Sequence, residues 1–261
     1  MGAVSLGSPL SGIRCTLRCV LCAVGIGTTS VCGMFGCSPK VVVGSAPAEP
    51  TGPNTLTAKE KADGWRLLFD GTSLKNFRDY KADTLSSAWH IVDGVITKNR
   101  GAEDMVTRDT FGDFEFAWDW RLSPRGNSGV FFRATEEYDK IYWSAIEFQL
   151  LDDSLASDNK DSTHLAGAAY GFYMPPRHVA HIGGIWNSSK IVARGNHIEH
   201  WMNGVRTLAY DIGTPEWGAM VAKSKFRPYP DFAKAKSGFI GFQGDHPGTL
   251  ELRNLKIRVL K

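Results

Sequence analysis

From Gly64 onward the dominant period of the chain is two. The stretch FEFAWDWRL sets Phe114, Phe116, Trp118, Trp120 and Leu122 on one face and Glu115, Ala117, Asp119 and Arg121 on the other. That is the alternation of a half-buried antiparallel strand. Runs of the same kind recur as RLLF, AWHIV, GVIT, GVFFRA, AIEFQLL, KIVARG, HIEHWM, VRTLAY, GFIGFQ and LELRNLKIRVL. Asp93-Gly94 and Asn203-Gly204 separate paired runs and read as two-residue hairpin turns, whose central residues both need positive φ. Only Pro215 to Phe226 suggests a helix, and a short one. About ten strands joined by turns predict an all-β sandwich or jelly roll of two antiparallel sheets. A domain of about 200 residues buries roughly 70% of its unfolded surface, enough to be stable without disulfides. The aromatic stripe from Phe114 to Trp120 is then core.

The same alternation sorts candidate chemistry by face. In a curved sheet the convex face packs on the second sheet and the concave face is free to hold polar groups. Within AIEFQLL, Ile146, Phe148 and Leu150 share the core face, so Glu147 and Gln149 point the other way, about 7 Å apart at two residues' rise. Gly129, Phe131 and Arg133 share a face in GVFFR, as do Phe239, Gly241 and Gln243 in FIGFQ. If these strands are neighbours, Glu147, Gln149, Arg133 and Gln243 line one groove. HIEHWMNG adds either His200 or the pair Trp201 and Asn203. His246, in QGDHPG near a strand end, sits where sites are often built. His90, His178, His181 and His197 show no pairing at ligand spacing and read as structural. The acidic stretch DDSLASDNKDSTH lacks the spacing and glycine of an EF-hand loop and reads as a solvated loop.

Composition narrows the function. The 261 residues are 43% hydrophobic and 22% charged, within the globular range. All five cysteines (Cys15, Cys19, Cys22, Cys32 and Cys37) precede Ser38, so the main domain has no thiol chemistry. Residues 1–37 carry Arg14 and Arg18, no acid, and then an apolar run of signal-peptide length. Its end, Met34-Phe35-Gly36-Cys37, resembles the lipobox of bacterial lipoproteins. That likeness implies acylation of Cys37, a membrane attachment through the lipid, and a place in the cell envelope, in the outer membrane or periplasm. Residues 38–63, rich in Pro, Gly, Ala and Ser over their first part, read as a flexible linker, and residues 64–261 as the domain. Losing the two arginines takes the formal charge from +3 to +1. There is then no basic excess to meet a nucleic acid.

Six blocks, GWRLLFDGTSLKNF, FGDFEFAWDWRLSPRGNSGVFFR, IEFQLLDD, GAAYGFY, IWNSSKIVARGNHIEHWMNGV and GFIGFQGDHPGTLELRNLKIR, agree in order with one family. Over Gly64 to Lys261 the chain resembles the 3-keto-disaccharide hydrolase domain family. The resemblance implies a concanavalin A-like β-sandwich and a carbohydrate substrate. The positions it marks are Asn127 and Arg133, Glu147, Gln149 and Asp152, Tyr170, Trp186 and Asn187, His200 and Asn203, and Gln243 and His246. Members of the family commonly have GALYG where this chain has Gly167-Ala168-Ala169-Tyr170-Gly171, a change expected to alter the packing beneath Tyr170.

The chemistry so implied is cleavage of a 3-keto-glycoside. A ketone at C3 acidifies the C2 hydrogen, a base removes it, the enolate expels the C1 substituent, and water can later add. Glu147 or His200 is the expected base, Arg133 and Gln149 are donors or supports, and a divalent metal held by Glu147 and His200 is a candidate electrophile. The chain has no dinucleotide-binding fingerprint, so a separate oxidoreductase must supply the keto-sugar. Two alternatives stand beside this reading. A retaining β-glucanase would use the spacing Glu147-x-Gln149-x-x-Asp152, but it needs two carboxyls about 5 to 5.5 Å apart. A lectin-like binding module would stack sugars on Trp186, Trp201 and Tyr170.

Overall fold

A computed structural model describes residues 52–176 and 179–261, and within them the alternating stretches become antiparallel strands. In chain order these are β1 (Arg66–Leu67), β2 (Phe77–Asp79), β3 (Trp89–Val92), β4 (Val95–Lys98), β5 (Met105–Thr107), β6 (Phe114–Leu122) and β7 (Asn127–Ala134). They are followed by β8 (Ile146–Leu151), β9 (Asn187–Arg194), β10 (His197–Met202), β11 (Val205–Asp211), β12 (Phe239–Phe242) and β13 (Leu250–Val259). Helix α1 spans Ala58–Ala62 and α2 spans Pro215–Lys223. The leader, Cys37 and His178 lie outside the described residues.

The strands build two sheets. The larger runs β11-β10-β9-β6-β13-β4-β3, with β1 pairing on the far end of β13; the smaller runs β2-β5-β12-β7-β8. This is the all-β jelly-roll sandwich that the alternation predicts. Both expected hairpin turns form, with φ of 49° and 76° at Asp93 and Gly94 and of 50° and 80° at Asn203 and Gly204. The inward face of β6 is buried at every second residue. Its Phe116 and Trp118 stack at 5.0 Å, and Trp118 meets Phe148 of β8 edge-on at 5.1 Å. That contact joins the two sheets through one aromatic layer.

The linker expected over 38–63 gives way in its last part to ordered chain. Asn54 is 6% exposed, at φ 59°. Its amide nitrogen donates to the Gly94 carbonyl at 2.8 Å, and its side-chain oxygen accepts from the Asn254 N–H at 2.8 Å. Thr57 caps α1 in a reciprocal capping box with Glu60, which also pairs with Lys256 of β13. Polar side chains that satisfy backbone groups of the sandwich cannot also be a free tether.

β8 is buried on both faces. Ile146, Phe148 and Leu150 enter the inter-sheet core as expected. The opposite, outer face of the small sheet carries its own small cluster, Val106, Phe131, Ala134, Ile141 and Ala145. Connecting segments therefore fold back over the face that holds Glu147 and Gln149, and turn part of it into a cavity.

Candidate active site

The cavity on the outer face of the small sheet has a volume of about 250 Å³. Six of the residues anticipated from sequence line it: Asn127 of β7, Glu147 and Gln149 of β8, Tyr170, Gln243 just after β12, and His246. Three others were not anticipated: Tyr142, Asp158, and Lys225 just beyond α2. Tyr142 and Lys225 carry no periodic signal. Asp158 belongs to the acidic loop read as solvated, and that reading is corrected here.

Glu147 is 8% exposed and its carboxyl accepts no hydrogen bond among the described residues. Room for it is made across the ladder. A Cβ on Gly129 would lie 1.9 Å from Glu147 Oε1 and 2.6 Å from its Cγ and Cδ, so the neighbouring strand must carry glycine there. Burial pushes this carboxyl up to about 8. The charge of Lys225 opposes the shift, while those of Asp104, Asp158 and Asp245 add to it. Gln149, 1% exposed, donates from Nε2 to Asn127 Oδ1 at 2.9 Å. Its own Oε1 and that of Gln243 are buried without partners among the described residues, two unsatisfied acceptors on side chains that line the cavity.

Around this core Asp158, Tyr170 and His246 are held by neighbours. Asp158 accepts from the Tyr170 hydroxyl at 3.2 Å and lies 2.8 Å from His164 Nδ1, with the His164 and Tyr170 rings stacked at 4.1 Å. Burial first, then the charges of Asp158 and Glu147, raise the Tyr170 phenol. His246 Nδ1 lies 2.7 Å from Asp245 Oδ1. The turn bearing His246 is pinned from below, where the fully buried Lys98 donates to the His246 carbonyl at 2.7 Å and Asp104 accepts from the Gly244 N–H at 2.8 Å. Desolvation brings the Lys98 ammonium down to about 8 and the Asp104 carboxyl up to about 6.

Six anticipated residues lie elsewhere. Arg133 has φ 52° where the β12–β7 register shifts. The bulge breaks the parity that put Arg133 beside Gly129 and Phe131. Its guanidinium instead donates to the carbonyls of Gly112 at 2.9 Å and Gly195 at 2.7 Å and to Asp113 at 3.0 Å. His200 is fully buried in the core, its ring 4.7 Å from that of Phe148. Its Nδ1 lies 3.1 Å from the Gly167 carbonyl, and its Nε2 lies 3.1 Å from the Tyr210 hydroxyl. Burial pushes it down to about 4, so it is neutral, donating from Nδ1 and accepting at Nε2. Ile198 and Met202, of the same parity, are the sequence signal that places it inward. Asp152 accepts from the Arg125 N–H at 2.8 Å and from Ser154, closing the end of the β7–β8 pair.

Asn187, Asn203 and Trp186 belong to the large sheet. Asn203 donates to Asn187 Oδ1 at 2.9 Å and to the Val179 carbonyl at 2.8 Å, while Asn187 bonds both the N–H and the carbonyl of His181. The two asparagines fasten a loop to the β9–β10 hairpin. Trp186 lies under the guanidinium groups of Arg121 and Arg253, at 4.8 and 4.1 Å. The expected pairing of Glu147 with His200 about a metal is not formed, and no cluster of three or more His, Cys, Asp or Glu side chains suited to a metal occurs among the described residues.

A jelly-roll sandwich with a polar cavity on one outer face, lined by a carboxyl with no hydrogen bond among the described residues and by an ammonium, defines a class of small-molecule site on a lectin-like scaffold. Within that class the chain belongs to the 3-keto-alpha-glucoside-1,2-lyase-like domain family, whose model matches residues 64–258. It is 30% identical over 239 residues to a 3-keto-disaccharide hydrolase of Bacteroides thetaiotaomicron, covering 79% of this chain and 82% of that protein. A Parabacteroides distasonis crystal structure named as a candidate glycosyl hydrolase superposes with a TM-score of 0.76 at 29% identity, covering 80% of this chain and all of that one. A second from the same organism gives 0.61 at 27% identity, covering 75% and 99%.

Proposed function

We propose that the chain cleaves 3-keto-glycosides, with Glu147 removing the C2 proton so that the C1 substituent is expelled. The observation that carries this reading is the Glu147 carboxyl itself, enclosed, without a hydrogen-bond partner among the described residues, and lining a cavity together with two glutamines whose amide oxygens are unpaired among those residues. A base with a pKa near working pH is an effective proton acceptor, and burial brings Glu147 to about 8. The unpaired oxygens of Gln149 and Gln243 suit sugar hydroxyls, and a volume of about 250 Å³ leaves room for a single ring, with the aglycone outside. The leaving oxygen needs a proton, and the Tyr170 hydroxyl and the newly protonated Glu147 both line the cavity. Elimination across C1 and C2 gives a lyase product, and addition of water gives net hydrolysis. The family description and the name of the Bacteroides relative differ by that one water.

The two alternatives lose their residues. Asp152, the second carboxyl of the glucanase spacing, is a turn cap away from the cavity. Of the three rings expected to stack on sugar, only Tyr170 is at the cavity, whereas Trp201 carries Lys190 at 4.7 Å and Trp186 its two arginines.

The test is release of aglycone from a panel of 3-keto-glycosides, with the unoxidised glycosides alongside. Glu147→Gln should lower the rate by about 10²–10⁴-fold, the range of positioned acid–base catalysis. Unchanged turnover in that variant would remove Glu147 from the mechanism, and comparable cleavage of the unoxidised glycosides would restore the glucanase reading.

A further inference from the structure

Removing a proton from C2 leaves an electron pair that moves into a C2–C3 double bond and puts negative charge on the C3 oxygen. That charge returns to form the C1–C2 double bond as the C1–O bond breaks, and the leaving oxygen takes the bonding pair and a proton. The rate depends on what meets the C3 oxyanion while it exists. Arg133 and His200, the groups expected to help, are committed elsewhere in the fold.

We infer that Lys225 is a catalytic residue, the cation that receives the enolate oxygen of a substrate whose C2 faces Glu147. This inference rests on the keto-glycoside reading. Lys225 follows α2 and lines the same cavity as Glu147. Its ammonium lies 4.2 Å from the centre of the Tyr170 ring, 5.2 Å from that of Phe226 and 5.9 Å from that of Tyr142. Such aromatic faces hold a cation in place without consuming its N–H donors. Among the described residues it has no hydrogen bond and no carboxylate at ion-pair distance, so those donors are free for a ligand. The lysine side chain as a whole is exposed, while its charged end is desolvated against the rings. That desolvation lowers its pKa, opposed by the charges of Glu147 and Asp158. A neighbouring ammonium also eases ionisation of Glu147. Lys225 thus serves both proton removal and the charge that removal creates.

The experiment measures kcat and KM across pH on a 3-keto-glucoside for the full chain and for Lys225→Met and Lys225→Arg. In Lys225→Met, kcat should fall by about 10²–10³-fold, the range for loss of one oxyanion partner. The ascending limb of its pH profile should move above the wild-type position, because the charges of Asp104, Asp158 and Asp245 still act on Glu147 while the ammonium that opposes them is gone. Lys225→Arg should restore part of the rate. Melting temperature should barely change, since methionine keeps an apolar stem against the same rings and no hydrogen bond among the described residues is lost. A Lys225→Met enzyme with wild-type kcat, or with an unmoved limb, overturns the role. Failure of the wild-type chain to turn over any 3-keto-glucoside sinks the parent reading as well, so the two failures are distinct.

Discussion

Glu147 sets a conflict between chemistry and stability. In the unfolded chain its carboxyl titrates near the ordinary 4.5, and in the fold near 8. Between those values the unfolded state gives up a proton that the folded state keeps, so folding is progressively disfavoured as pH rises through that window and levels off above it. Glu147→Gln keeps the shape and removes the titration. Its melting temperature should therefore exceed that of the wild type by a margin that widens from pH 5 to pH 8 and then stays constant. A margin independent of pH would mean that the carboxyl is solvated in the folded protein.

At the scale of the element, the bulge in β7 decides what Arg133 does. Placed inward, the guanidinium satisfies two backbone carbonyls and Asp113 at the end of the sandwich. Arg133→Ala should cost about 1–3 kcal/mol, the penalty for stranding buried acceptors, and lower the melting temperature by roughly 2–4 °C per kcal/mol in a chain of this size. Its kcat on a 3-keto-glucoside should stay at the wild-type value; a large loss of kcat would return Arg133 to the chemistry. The same bulge marks where sequence reasoning stops. Alternation alone found β6, β8 and β10, and it put Glu147 and Gln149 of β8 and Gln243, just after β12, on the cavity face. It could not see a register shift, which depends on the partner strand. It also missed β2 and β5, each only three residues long and too short to show a period. Tyr142, Asp158 and Lys225 reach the cavity from non-repeating segments, where nothing separates a lining residue from a solvated one.

On the scale of the whole molecule, the domain begins before its first strand. Asn54 ties the β3–β4 turn to the kink in β13, where Asn254 has φ 56°, and α1 lies against β13 through Glu60 and Lys256. These contacts are on the large sheet, while the cavity is on the outer face of the small one. A chain starting at Gly64 should therefore melt several degrees below one starting at Thr51 and turn over substrate at the same rate at 25 °C. Equal melting temperatures would show that residues 51–63 add nothing to the fold. The contacts of Asn54 and α1 thus add stability on a sheet whose outer groups the cavity does not use.

Gly129 belongs to the small sheet, in β7. Its backbone carbonyl accepts the Gln243 N–H at 2.9 Å, but on its side-chain side it offers only emptiness of the size of a carboxyl group. Any larger residue there would leave the ladder intact and evict Glu147 from its seat. A sandwich of this shape would then still cradle a sugar through its amides and rings, without its seated carboxyl at C2. The difference between an enzyme and a sugar-holding module on this scaffold can thus rest on one missing methyl group.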